Sequence, residues 1–278
     1  MRNFEPLDID KGEHISALKI LVEELRTKFD TKLIIKDDSR LMRCIGRVFS
    51  FLGFNKNFQT QFITTIFGDV YFPSTYRKVV DSINDDDWES LKDPELTPWV
   101  QSLLSTLFHE YVHINDSEKS FLRGVGFSVA YLTPQIYAVL GLIALPFSFY
   151  NPWFLIPSAI WLAMAAPWTA FWRCVSEARG YATNVVCLHM VYGMRADQIN
   201  EFAFMSYFNN SSYYWMVGHP LLTPKVARRR VQEVVRQYLQ SAKTSLSNKE
   251  AGLHLLDNVE HVYRICSEVK AETERGVS

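Results

Sequence analysis

Cysteine is scarce: Cys44, Cys174, Cys187 and Cys266 are the only four in 278 residues, and none forms a C-x-x-C pair. That scarcity excludes a disulfide-stapled scaffold and points to reduced thiols in a cytosol-facing protein. Net charge is equally small, with 29 basic and 30 acidic residues interspersed to leave -1. No long basic tract or aromatic-plus-basic pattern is present, which argues against nucleic acid as a partner. The opening "MRNFEPLDIDKGEH" is acidic and has no apolar stretch, so no cleavable secretory signal is expected. Internal repeats and low-complexity segments are missing as well.

Apolar residues are abundant, at 48% of the chain, enough to bury a sizeable core. In "EHISALKILVEELRTKF", Ile15, Leu18, Leu21 and Leu25 recur every three or four positions and predict an amphipathic helix. A short strand, "KLIIK", is expected next, and Asp38 or Ser39 is placed to cap a following helix. The β-branched and aromatic run "FITTIFGDVYF", interrupted at Gly68-Asp69, predicts a hairpin ending at Pro73. One of its strands is either ordinary sheet or the edge to which an extended peptide adds.

Thr97 and Pro98 then mark the start of a helix. Within it, "TLFHEYVHIND" spells H-E-x-x-H through His109, Glu110 and His113. Residues four apart share a helix face, so both imidazoles can reach one metal ion, and a tetrahedral zinc is the natural guest. Glu110, beside the first ligand, can take a proton from an attacking water and pass it to the leaving amine. A catalytic zinc needs a third protein ligand, for which Glu177, His189 and His219 are the candidates. Glu177 is the best placed, because it opens a helix directly after an apolar hairpin that returns the chain close to the motif helix, and a carboxylate there is costly unless something pairs with it.

That hairpin is predicted from residues 124–172, a run of 49 without Asp, Glu, Lys, Arg or His, divided by "FYNPW". Each half has the roughly 20 apolar residues that a bilayer span requires. Basic residues on both sides, Lys119 and Arg123 before and Arg173 and Arg179 after, would keep both ends on the cytoplasmic face. The alternative is an apolar hairpin buried in a soluble fold or an assembly. Further helices are expected around residues 175–192, 196–207, 224–242 and 249–270, with "NNSSYYW" as a polar loop.

The order of H-E-x-x-H, apolar hairpin and downstream glutamate, followed by "GHPLLTPKVARRRVQEV", resembles the membrane gluzincins of the HtpX type and the CAAX prenyl proteases. The resemblance runs over roughly residues 62–234. It implies a zincin-like core, mainly α with a small β-sheet, in which His109, His113 and Glu177 bind Zn2+ and Glu110 is the general base. It further implies that His219 approaches the metal, and that one arginine of Arg228 to Arg230 lies near the site. In that family the ligand glutamate is followed four residues later by an aspartate that orients a zinc-bound histidine. Here that position is Tyr181, whose hydroxyl, or else a backbone carbonyl, would have to serve instead.

The expected organisation is an N-terminal helical scaffold (1–60), the sheet and motif helix (61–123), the apolar hairpin (124–172) and a C-terminal helical part carrying the third ligand (173–278). The expected function is a zinc-dependent endopeptidase acting on peptide or protein substrates, membrane-held and facing the cytoplasm. The other reading is a structural or assembly protein, of a viral particle for example, that keeps the metal site without turnover.

Overall fold

The computed structural model describes residues 5–51, 58–61, 63–66, 68–117, 125–126, 129–131, 133–134, 137–166, 168–209, 216–247 and 257–276. The predicted apolar stripe forms α1 (Glu13–Phe29), with Ile15, Leu18, Leu21 and Leu25 all buried. Burying each of these leucines contributes about 1.5–3 kcal/mol, so Leu21→Ala is the kind of change that would loosen the helix. After β1 (Leu33–Ile35), Ser39 rather than Asp38 caps α2 (Arg40–Phe51), accepting the Met42 N–H at 3.3 Å. Asp38 pairs instead with Arg77.

A four-residue turn of helix, α3 (Phe58–Gln61), leads into the predicted hairpin of β2 (Thr64–Ile66) and β3 (Asp69–Phe72). Gly68 takes φ +83 at the turn, a conformation that costs glycine nothing. The strands are antiparallel, with Thr65 opposite Val70, and β1 adds in parallel on the other side of β3. The order β1-β3-β2 leaves β2 at the edge.

Beyond α4 (Arg77–Asn84), the motif helix α5 runs from Thr97 to Ser117, starting at the predicted Thr97-Pro98 pair. The predicted 175–192 helix is longer, α8 (Phe171–Met190). It is the central rod of the molecule, packed against α5 and against α10 (Lys225–Ser247) and α11 (Asp257–Glu274), while α1 packs on α5 and α11. One apolar core collects Leu18 and Leu21 of α1, Val70 and Phe72 of β3, Leu104 and Phe108 of α5, and Val185 and Val186 of α8. The fold is mainly helical with a small three-stranded sheet, as expected.

Two expectations need correction. The helix foreseen over residues 196–207 is replaced by a turn, a 3-10 stretch (Glu201–Phe204) and the short α9 (Met205–Asn209). Arg195 pairs with Asp197, and the Asn200 side chain accepts the Phe202 N–H; both local bonds compete with helix. Most of the polar loop that follows, and residues 249–256 of the last predicted helix, lie outside the described residues.

The second correction concerns the apolar hairpin. Its break at Tyr150 and Asn151 is where the sequence placed it, but its arms are short: α6 (Ala138–Ala144) and α7 (Leu155–Leu162), continued by 3-10 turns at Leu145–Phe149, Pro152–Phe154 and Ala163–Ala165. Pro146 lacks the N–H that would extend α6, and Pro157 is accommodated only because it falls in the first turn of α7. Among the described residues no helix is long and apolar enough to cross a membrane.

Candidate metal centre

On α5, His109 and His113 lie one turn apart and face α8, which presents Glu177. All three are buried, at 8%, 8% and 7% exposure. The two Nε2 atoms are 3.2 Å apart, and Glu177 carboxylate oxygens lie 3.4 Å from the His109 Nε2 and 3.8 Å from that of His113. One donor atom from each residue can be chosen so that all lie within 4.8 Å of one another. A tetrahedral ion with bonds of about 2.0–2.1 Å holds its nitrogen ligands about 3.3 Å apart, so the donor set fits a zinc-sized ion.

Close approach of the two helices depends on Gly180. A Cβ there would sit 2.6 Å from Cε1 and Nε2 of His109. Glycine is therefore required three residues beyond Glu177. Lower on the same helices, Arg179 pairs with Asp116 and ties α8 to the end of the motif helix.

Each imidazole is held from behind. His109 Nδ1 is 2.8 Å from Asn184 Oδ1, while the Asn184 amide donates to Ser105 Oγ at 3.0 Å and so fixes which end of the amide faces the ring. His113 Nδ1 lies 3.0 Å from Ser176 Oγ. With Nδ1 engaged in this way, Nε2 of each ring is aimed at the common centre, the arrangement that histidine ligands use. Tyr181 plays another part than its expected one: its ring stands edge-on to His109 at 4.9 Å and stacks on Tyr207 at 5.3 Å. The acceptor for His109 comes from Asn184, seven residues past Glu177 on the same helix face.

Electrostatics bind the set together. Burial disfavours a charged His109, but the hydrogen bond to Glu177 and the nearby Glu110 charge outweigh it and push the imidazole up to about 9. Burial would raise Glu177, yet the hydrogen bond from His109 and the histidine charges hold it well below the usual carboxylate range. For His113 burial dominates and its pKa is lowered, against the pull of the Glu177 charge. Tyr131, at the base of the apolar segment, donates its hydroxyl to Glu177 Oε1, and the Arg173 guanidinium lies 5.4 Å over the Tyr131 ring.

Glu110 points to the sheet. Its Oε2 accepts the hydroxyl of Thr65, at the middle of edge strand β2, at 2.7 Å. Lys36, fully buried just after β1, is lowered by burial to about 8, with the Glu110 charge acting in the opposite direction. The motif carboxylate thus links the helix of the histidine pair to the edge strand of the sheet.

The remaining candidates lie outside this convergence. His189 closes the end of α8, its Nδ1 2.8 Å from the Met194 carbonyl. His219, half-buried, accepts the Leu221 N–H on Nδ1 at 3.2 Å and turns the chain through carbonyl bonds to Leu222 and Thr223. The residues just before it are pinned to the start of α8, where the Met216 carbonyl accepts the Ala170 N–H and the Val217 carbonyl accepts the Thr169 hydroxyl. Of the arginine cluster, Arg229 and Arg230 are exposed and Arg228 is half-buried.

Asn184, Ser176, Gly180, Thr65 and Tyr131 were not foreseen. The first three had a signal, since Ser176 adjoins Glu177 and the other two follow it at spacings that return to the α5 side of the helix. Thr65 and Tyr131 had none. Comparison of the chain with protein-family models, with curated proteins and with solved structures yields no match in any of the three.

Proposed function

We propose that this protein is a zinc-dependent endopeptidase. The observation that carries the proposal is the convergence of His109, His113 and Glu177 on one point, with the carboxylate of Glu110 beside it and hydrogen-bonded to the edge strand. Zinc, when bound, supplies a Lewis acid that polarises a carbonyl and makes water more acidic. The chain's own residues supply the rest. Asn184 and Ser176 orient the imidazoles, Tyr131 and the tight helix contact at Gly180 fix Glu177, and Glu110 receives a proton and returns it to the departing amine. Substrate is an extended peptide laid along β2, the edge strand of the sheet. In that pose Thr65 positions Glu110 close to the peptide backbone. The resemblance to membrane gluzincins agrees with this order of elements.

A second reading is favoured by the burial of the three donor residues and by the hold of Tyr131 on Glu177: a metal that supports structure in a larger assembly, with no turnover. One experiment separates them. Elemental analysis of the purified chain beside His113→Ala and Glu177→Ala, together with cleavage of an unstructured peptide library, should show one zinc per chain, lost in both variants, and cleavage that disappears with the metal. Stoichiometric zinc without cleavage of any peptide would select the structural reading, and absence of zinc would end both.

A further inference from the structure

We infer that the apolar hairpin enters one leaflet of a lipid bilayer without crossing it. The proposal is independent of the metal centre and rests on how the hairpin distributes its side chains.

Within α6 the sole buried residue is Gly141, and within α7 it is Ser158. These two small residues form the seam, where a Cβ on Gly141 would lie 2.8 Å from the Ser158 carbonyl and from Leu162. Apart from half-buried Leu162, which closes on Gly141, the large side chains point outward: Leu142, Ile143 and Ile160 are exposed on the arms, and Phe149, Tyr150 and Trp153 are 90%, 91% and 75% exposed at the tip. A pair of helices with small residues inside and large apolar residues outside inverts the pattern of a water-facing hairpin and matches helices packed in lipid.

Polar groups follow the same logic. Ser148 donates to Leu145 O, Ser158 to Phe154 O and Trp168 to Ala163 O, while Asn151 accepts the Trp153 N–H. Each of these bonds stays inside the segment, as a hydrocarbon surrounding demands. A protein groove would cover one side of the hairpin and leave the opposite apolar side in water. Lipid covers every side, which is what this distribution requires.

Length decides the depth. With rises of about 1.5 Å per α-helical and about 2.0 Å per 3-10 residue, the arms at 138–149 and 152–165 reach about 20 and 24 Å. A hydrocarbon core is about 30 Å thick, so a tilted hairpin fills one leaflet, about 15 Å, with its base at the headgroups. Of the flanking basic residues, Arg173 and Arg179 are committed within the fold, to Tyr131 and to Asp116.

The test uses the full chain with vesicles of neutral phosphatidylcholine. It should float with them, and nitroxides on the acyl chains should quench a tryptophan signal that is missing in Trp153→Phe. The double variant Phe149→Asp, Trp153→Asp changes only exposed positions and should keep its circular dichroism while its floated fraction falls about tenfold or more. In a Cys44→Ser background, Asn151→Cys should resist a membrane-impermeant maleimide placed on either side of the bilayer. Labelling from the far side would mean a crossing hairpin and overturn the proposal. So would failure of the wild type to float, whether it stays monomeric or hides the hairpin in a protein assembly, and so would equal flotation of the double variant.

Discussion

A Cβ on Gly180 would stand 2.6 Å from the imidazole of His109, closer than any real Cβ contact allows. The gap between motif helix and ligand helix is therefore set by the missing side chain. Glycine to alanine inside a helix ordinarily stabilises by about 1 kcal/mol. Here Gly180→Ala should destabilise by about 1–3 kcal/mol, because the ring or the helix must shift. Thermal unfolding of the metal-free chain measures this, and a chelator competition should show weaker zinc retention in the same variant. An unchanged or higher melting temperature would mean that the helices are not in this register.

Asn184 sets the orientation of His109 without touching the metal centre. Removing such a partner weakens metal affinity about 10–100-fold. Asn184→Ala should fall in that range by competition with a calibrated chelator, whereas Asn184→Asp, which keeps an oxygen for the Nδ1 proton, should retain most of the affinity. Tyr181→Phe keeps the ring that packs on His109 and should leave affinity within about threefold of wild type. If Tyr181→Phe proved the more damaging variant, the hydroxyl of Tyr181 would be the true partner.

The contrast between Asn184 and Tyr181 shows how much of the site could be read in advance. The grouping of His109, His113 and Glu177 was legible because metal chemistry restricts both residue type and helical spacing. The resemblance implies a partner for a zinc-bound histidine at Tyr181, four residues after Glu177, or at a backbone carbonyl, although a position seven residues on returns to the same face equally well. Thr65 and Tyr131 arrive from separate segments, and no local pattern announces a contact over 45 or 46 positions. Among the larger elements, α1 and the β2-β3 hairpin followed from periodicity and turn chemistry. The arms of the apolar hairpin followed in part: hydropathy marks their extent, and the prolines that interrupt the run, Pro146 among them, mark where helix cannot continue.

In the proposed endopeptidase Glu110 transfers the proton and stands apart from the group of three donors. Glu110→Gln should accordingly retain zinc at the wild-type stoichiometry while peptide hydrolysis falls about 100- to 10,000-fold. Thr65→Val removes one hydrogen bond to this carboxylate and should lower kcat by about tenfold or less, with metal content unchanged. Loss of zinc in Glu110→Gln would move that residue into the ligand set, and full activity in it would remove the proposed base.

His261 of α11 makes the fold sensitive to acid. It lies flat against Tyr111 at 3.9 Å, accepts a hydrogen bond from Arg264 on Nδ1, and has Glu24 at 3.9 Å and Lys28 of α1 nearby. Burial dominates; Glu24 favours the charged form, but burial together with Arg264 and Lys28 brings the imidazole down to about 4. Between that value and the ordinary 6.5 the unfolded chain binds the proton and the folded chain does not. The stabilisation is therefore complete above pH 6.5 and is lost as pH falls towards 4, by about 2 kcal/mol between pH 7 and 5. Buried His14 is shifted in the same direction by the same cause, and its contribution remains in any His261 variant. His261→Phe preserves a ring to stack on Tyr111 and removes the titration. Denaturant unfolding from pH 7 to 5 should then lose about 2 kcal/mol less in the variant than in the wild type; parallel pH profiles for the two would show that His261 is already protonated, or solvated, in the folded chain.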